Sequence, residues 1–281
     1  MPHFLGNRRF ALTLAALVTS SLGIMCAPAE SEPANGRPND SEASTLAPDA
    51  SWQLKWSPEA NRDGLLKSFE GVEDDRANSH TEGQPHIFVQ DNNFRFNMHT
   101  VDRDASTDRQ RQEVKGMRAS NGANLEIRAG ETWRLSWSLF IPSSLKATTS
   151  FTHIMQLKQP GDGSSPILVM SLRRRKTNTR IEVKVFESDT MVGEIDLAPL
   201  QDKWISTDVE FKAANGPDGW VRWVVRDGEA TVLDKKVTGV DTFLADRVRP
   251  KWGIYRSLAD TSGSLQDCYM LTTNMRAYQL L

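Results

Sequence analysis

Trp133-Arg134-Leu135-Ser136-Trp137-Ser138-Leu139 alternates apolar and polar residues without a break. Successive strand side chains point to opposite faces, so one face of this stretch carries Trp, Leu, Trp and Leu while the other is polar. The same two-residue period recurs outward in both directions. It appears in Phe94-Arg95-Phe96-Asn97-Met98, in Ile181-Glu182-Val183-Lys184-Val185, and in Val221-Arg222-Trp223-Val224-Val225. The last run ends at Asp227-Gly228, a hairpin signal. Asn121-Gly122, Ala129-Gly130, Pro160-Gly161 and Gly216-Pro217 break the chain between such runs. No stretch keeps a helical period with caps. Many short strands at this turn density predict an all-β sandwich or barrel, and the size of the domain over residues 51–281 suits a two-sheet antiparallel β-jelly-roll sandwich, concanavalin-like in layout.

The remaining N-terminal residues read differently. Arg8 and Arg9 precede an apolar run from Phe10 to Met25, and Ala27-Pro28-Ala29 offers small residues for cleavage. Residues 1–29 are therefore expected to be a signal peptide. Residues 30–50, rich in Ser, Pro, Glu, Asp, Ala and Asn, are expected to be a disordered linker. The expected localisation is secreted: extracellular or periplasmic, with no membrane attachment after cleavage. The 281 residues carry 38% hydrophobic and 25% charged side chains and a formal net charge of −2. Nothing global draws the chain to nucleic acid, and attraction for an anion must come from a local basic cluster. The run Arg173-Arg174-Arg175-Lys176 is too short and isolated to argue otherwise and reads as a solvated strand end. After cleavage Cys268 stands alone, so it makes no internal disulfide and reads as a buried small apolar residue.

Three segments place polar residues on one strand face. In Arg109 to Lys115, Arg111, Glu113 and Lys115 share a face, two cations flanking a carboxylate. In Phe151 to Lys158, Ile154, Gln156 and Lys158 share one face, and His153, Met155 and Leu157 share another that looks core-facing; a strand bulge would turn His153 toward a cleft. In Arg249 to Arg256, Lys251, Gly253 and Tyr255 share a face, and Gly253 leaves room for an approach to the backbone.

At these segments the chain resembles the jelly-roll polysaccharide lyases, the group that includes family 7 alginate lyases, heparin lyase I and glucuronan lyases. Arg111, Glu113 and Lys115 match an Arg-x-Glu-x-Arg motif with lysine in place of the last arginine. Gln156 matches the glutamine of Gln-x-His, with Lys158 where the histidine stands. Lys251, Gly253 and Tyr255 match Lys-x-Gly-x-Tyr in full. The resemblance covers roughly residues 60–280. It implies β-elimination on a polysaccharide containing uronic acid, with Tyr255, Gln156, Arg111 and His153 as catalytic candidates. Glu113, Lys115, Lys158, Lys251, Arg109, His99 and Arg256 are the substrate-binding candidates, and His99 and His153 are the histidines able to replace the one missing at Lys158.

Elimination needs the carboxylate neutralised, a base for the C5 proton and an acid for the leaving oxygen. Gln156, Arg111 and Lys158 suit the first task and Tyr255 the acid; the base is either Tyr255 itself, serving both roles, or one of the two histidines. No cofactor or metal is expected: the ligand clusters of zinc sites are absent from the sequence pattern, while a structural calcium stays open. A monomer is expected, with an acidic polysaccharide as its partner. Two other readings stay open. One is a non-catalytic, lectin-like module for acidic carbohydrate, which the eight tryptophans would serve by stacking, although Trp137 and Trp223 sit where core packing suits them. The other is a glycoside hydrolase, which needs paired carboxylates. Glu194-Ile195-Asp196 begins such a signature, but Pro199 occupies its closing position.

Overall fold

The alternating segments become strands of two large antiparallel sheets. A computed structural model describes residues 51–80, 85–161 and 165–281. The expected signal peptide and linker lie outside these residues. The early strands are β1 (Trp52–Trp56), β2 (Gly71–Glu73), β3 (Ile87–Gln90), β4 (Asn93–Met98) and β5 (Arg109–Lys115). A small ribbon of β6 (Met117–Arg118) and β7 (Asn124–Leu125) precedes β8 (Thr132–Phe140) and β9 (Thr152–Lys158). Then come β10 (Pro166–Arg175), β11 (Asn178–Val185), β12 (Thr190–Asp196) and β13 (Trp204–Lys212). The chain closes with β14 (Trp220–Asp227), β15 (Ala230–Thr238), β16 (Arg249–Ser257) and β17 (Cys268–Leu280).

One sheet has the order β15-β14-β13-β8-β17-β4-β3, with β1 also paired to β17. The other has the order β12-β11-β10-β9-β16-β5-β2. The core lies between them. Along β8, Trp133, Leu135, Trp137 and Leu139 are buried while the residues between them are half-exposed, as the two-residue period requires. Trp223 of β14 and Trp252 and Ile254 of β16 join the same core. Each large side chain removed from water contributes roughly 1.5–3 kcal/mol, so the inward faces hold the sandwich together. Trp137 and Trp223 thus do the packing their positions suggested.

A short α-helix, α1 (Ala60–Ser68), and two single-turn 3-10 helices (Ala198–Leu200 and Gly216–Asp218) depart from the all-strand expectation among the described residues. α1 is broken at Gly64, whose φ of 61° is left-handed. That break accounts for the missing helical period in the sequence.

The basic run ends β10, and Lys176 turns the chain toward β11 at φ 57°. Arg173 and Arg175 pair with Glu182, and Arg175 also with Glu194. This is the solvated strand end expected. Cys268 is a buried free thiol, and burial pushes its pKa up to about 11.

Candidate active site

Register decides which side chains meet. β16 lies between β9 and β5 in the second sheet. Against β5 it pairs Lys251 with Lys115, Gly253 with Glu113 and Tyr255 with Arg111. Both motif segments therefore put their odd-numbered residues on the outer face, while Val114, Trp252 and Ile254 point into the core. Gly253 has φ 137°, and a Cβ there would lie 2.1 Å from the carbonyl oxygen of Gln112. The space expected beside Gly253 is thus filled by the neighbouring strand's own backbone, not by a ligand.

β9 corrects the simple alternation. Its pairing shifts between His153 and Met155 against both β10 and β16. Ile154, Met155 and Leu157 all enter the core, and His153 turns out to join Gln156 and Lys158 on the groove side. The expected face-sharing of His153 with Met155 and Leu157, and of Ile154 with Gln156, fails because the bulge inserts a residue.

The result is an open groove of about 770 Å³ on the outer face. Tyr255, Gln156, Arg111 and His153 all line it, as do Arg109, Lys115, Lys158 and Lys251. Arg109 Nη1 donates to the Tyr255 hydroxyl oxygen at 2.8 Å. The Arg111 guanidinium lies 3.7 Å from the Tyr255 ring centroid. His153 stacks on Phe151, with centroids 4.7 Å apart, and its ring centre is 5.8 Å from that of Tyr255. His153 Nδ1 lies 2.7 Å from Ser171 Oγ. Burial is the main cause that lowers the His153 pKa to about 3; Glu113 opposes it, and Arg173, Arg111 and Lys251 add to it. The imidazole is therefore neutral near neutral pH.

Beneath the groove sits a charged brace. Glu113 is fully buried and accepts from Lys251 Nζ at 2.6 Å, Arg111 Nη1 at 2.7 Å and Gln156 Nε2 at 2.6 Å. Its carboxylate is enclosed by these partners and holds the groove cations in place. Lys251 also donates to Glu73 at 2.6 Å, and Arg111 to Asp104 at 2.8 Å. Burial pushes the Glu73 carboxyl up, but the charge and hydrogen bond of Lys251, with Arg111 and Lys115, outweigh it and hold Glu73 at about 2. The same balance lowers Glu113. Lys158 is half-buried and has no ion-pair partner among the described residues. Burial, then Lys251 and Arg111, lower the pKa of its amine.

Two candidates lie elsewhere. Arg256 points inward, where its Nε donates to Gln110 at 2.6 Å and its Nη1 to Cys268 Sγ. An even-numbered position on β16 faces the core, so adjacency to Tyr255 in sequence misleads. His99 follows β4 and meets His80, His86 and Asp102 on the side of β5 that carries Gln110 and Gln112. This cluster corrects the expectation that no zinc-type ligand group exists, because its members are scattered over 23 positions in sequence (80 to 102). Sequence reasoning also missed Glu73, Arg76, Asp104 and Arg249 at the groove. All but Arg249 come from loops or an edge strand with no strong pattern.

The acids of the hydrolase reading lie outside the groove lining and are engaged in ion pairs. On β12, the far edge strand of the sheet, Glu194 pairs with Arg175 and Arg180 and Asp196 also pairs with Arg180.

The model of the polysaccharide lyase family matches residues 61–272. No curated protein matches the chain. Among solved structures, the chain is similar to the alginate lyase from Klebsiella pneumoniae, with 11% identity and a TM-score of 0.53 over 78% of this chain and 98% of that one. It is also similar to the endo-β-1,4-glucuronan lyase from the fungus Trichoderma reesei, with 14% identity and a TM-score of 0.51 over 76% and 92%. At these identities the likeness is one of fold. Among the described residues no helix is long and apolar enough to cross a membrane.

Proposed function

The chain belongs to the polysaccharide lyase family, and on that premise we propose that it cleaves a uronic-acid polysaccharide by β-elimination in the groove of β5, β9 and β16. The observation that carries this reading is the convergence of Tyr255, His153 and Gln156 on one cationic groove. The groove lining holds Arg76, Arg109, Arg111, Lys115, Lys158, Arg249 and Lys251 against Glu73 and Asp104. That local surplus, in a chain of net charge −2, favours an anionic polymer.

Each step has a residue of suitable chemistry. Lys158, the second N–H of Gln156 and the Nη2 edge of Arg111 meet the uronate carboxylate and stabilise the charge that develops on it. With its Nδ1–H donated to Ser171, His153 presents the lone pair of Nε2 and takes the C5 proton. The electron pair forms the C4–C5 double bond and the C4–O bond breaks. Tyr255, whose oxygen accepts from Arg109, keeps its own O–H for the leaving oxygen. Export through residues 1–29 and action as a monomer belong to the same reading.

The test is to incubate the protein with glucuronan, alginate and other uronic polysaccharides and follow the ultraviolet absorbance of the unsaturated product. A rise on at least one polymer supports the reading. Binding without any rise would instead mark a carbohydrate-binding module.

A further inference from the structure

Three of the chain's five histidines meet on the side of β5 away from the groove. His80 lies beyond β2, His86 just before β3, and His99 and Asp102 between β4 and β5. One ligand atom from each of the four lies within 4.8 Å of all the others. The three rings form a propeller: their centroids are 4.6, 5.1 and 5.3 Å apart and their planes tilt by 66°, 68° and 66°. Packing alone gives no reason for three imidazoles to aim their nitrogens at one point.

A second observation concerns hydrogen bonding. His80 Nδ1, His86 Nε2, His99 Nδ1 and Asp102 Oδ1 are all buried and have no hydrogen-bond partner. Buried polar atoms without partners are rare, and here four of them, one per residue, cluster. His86 and Asp102 are themselves almost wholly buried. The other atoms of these two groups are partnered. His86 Nδ1 lies 2.8 Å from Asp74 Oδ1. Asp102 Oδ2 accepts from the backbone N–H of His99 at 2.7 Å. The protein thus fixes the far side of each ligand and leaves the near side bare, as second-shell carboxylates do for metal-bound histidine.

Distances agree. Ligands held about 2.0–2.1 Å from a tetrahedral zinc ion lie roughly 3.3 Å from one another. Asp102 Oδ1 is 3.2 Å from His86 Nε2 and 3.5 Å from His80 Nδ1. One carboxylate cannot neutralise three imidazoles, so simple ion pairing leaves the arrangement unexplained. Three nitrogen ligands disfavour calcium and magnesium and suit zinc.

We propose that His80, His86, His99 and Asp102 bind one Zn2+ ion in a closed, structural site. With four protein ligands no position is open for chemistry. The ion would tie the segment after β2 to the β4–β5 connection. These two carry Arg76 and Asp104, which line the groove. The ion would therefore brace that part of the groove wall from behind.

The test starts from full-length protein stripped with a chelator. Equilibrium dialysis should return about one zinc per chain, and the melting temperature should rise with Zn2+ but not with Ca2+. Co2+ should give the intense visible bands of a tetrahedral N/O site, a reading that needs no variant. Asp74→Asn, which alters only the outer shell, should weaken Zn2+ binding by about 10–100-fold, and His80→Ala should abolish stoichiometric binding. Failure of the stripped wild-type chain to bind Zn2+ would overturn the proposal. So would binding of unchanged strength in folded His80→Ala protein, which would place the ion elsewhere.

Discussion

Arg109 Nη1 donates to the phenolic oxygen of Tyr255 at 2.8 Å, across the seam between β5 and β16. An oxygen that already accepts this bond turns its own proton away from the arginine and toward the groove. The guanidinium of Arg111, stacked 3.7 Å from the ring centroid, fixes the plane of the phenol. A tyrosine so held is oriented to donate a proton at one place.

Tyr255→Phe should therefore slow cleavage severely while the polymer still binds. The loss expected for a positioned acid is about 10²–10⁴-fold in kcat. Stability should change little, since a single hydrogen bond contributes about 0.5–1.5 kcal/mol. Steady-state kinetics and a thermal melt check both.

Glu113→Gln should be far more disruptive to the fold than its place in a substrate motif suggests. The carboxylate is fully buried beneath Lys251, Arg111 and Gln156. Removing one partner from a buried charge network costs about 3–5 kcal/mol, which denaturant unfolding will read directly. The wild-type brace also sets a pH limit. A carboxyl lowered on folding stabilises the protein above its unfolded pKa, and that contribution fades as pH falls through the folded value. For Glu73, lowered from 4.5 to about 2, the contribution is about 3 kcal/mol. It should be whole above about pH 4.5 and disappear toward pH 2.

The pH–rate profile should lack a histidine limb. An unperturbed imidazole titrates near ~6.5, whereas burial, helped by nearby cations, keeps His153 at about 3. His153 therefore stays an available base as pH falls below neutrality. A limb near the ordinary histidine value that vanished in His153→Ala would contradict this. The variant itself should lose about 10²-fold or more in kcat.

Lys158→Met should act on binding and on the chemical step. Its ammonium has no ion-pair partner among the described residues, so its charge is available to substrate carboxylate and to the charge that develops on it. We expect kcat/KM to fall about 10-fold or more, equivalent to ~1.4 kcal/mol, with kcat lowered as well as KM raised. The variant should also lose part of its sensitivity to salt.

Both sheets are legible in the sequence because one buried face and one wet face imprint a two-residue period. Arg111, Lys251 and Tyr255 follow that period, so their shared groove is legible too. His153 does not follow it, because a bulge spoils the count at Ile154 and only pairing to two neighbouring strands reveals it. Glu73 and Asp104 carry no local pattern, and their contribution arises from ion pairs to strand residues, Glu73 with Lys251 and Asp104 with Arg111, that only the fold brings together. Arg256 and His99 show the opposite error. Both neighbour groove segments in sequence, yet strand parity and the β4–β5 connection put them on the inner side. The histidine cluster is invisible in one dimension because its ligands come from separate loops.

The most direct measurement is mass analysis of the products formed from a uronic polymer in water enriched with heavy oxygen. Elimination breaks the C4–O bond without adding water, so the account predicts unsaturated products that carry no label from cleavage, formed far more slowly by Tyr255→Phe. Saturated products bearing heavy oxygen at the new chain end would show hydrolysis and contradict it.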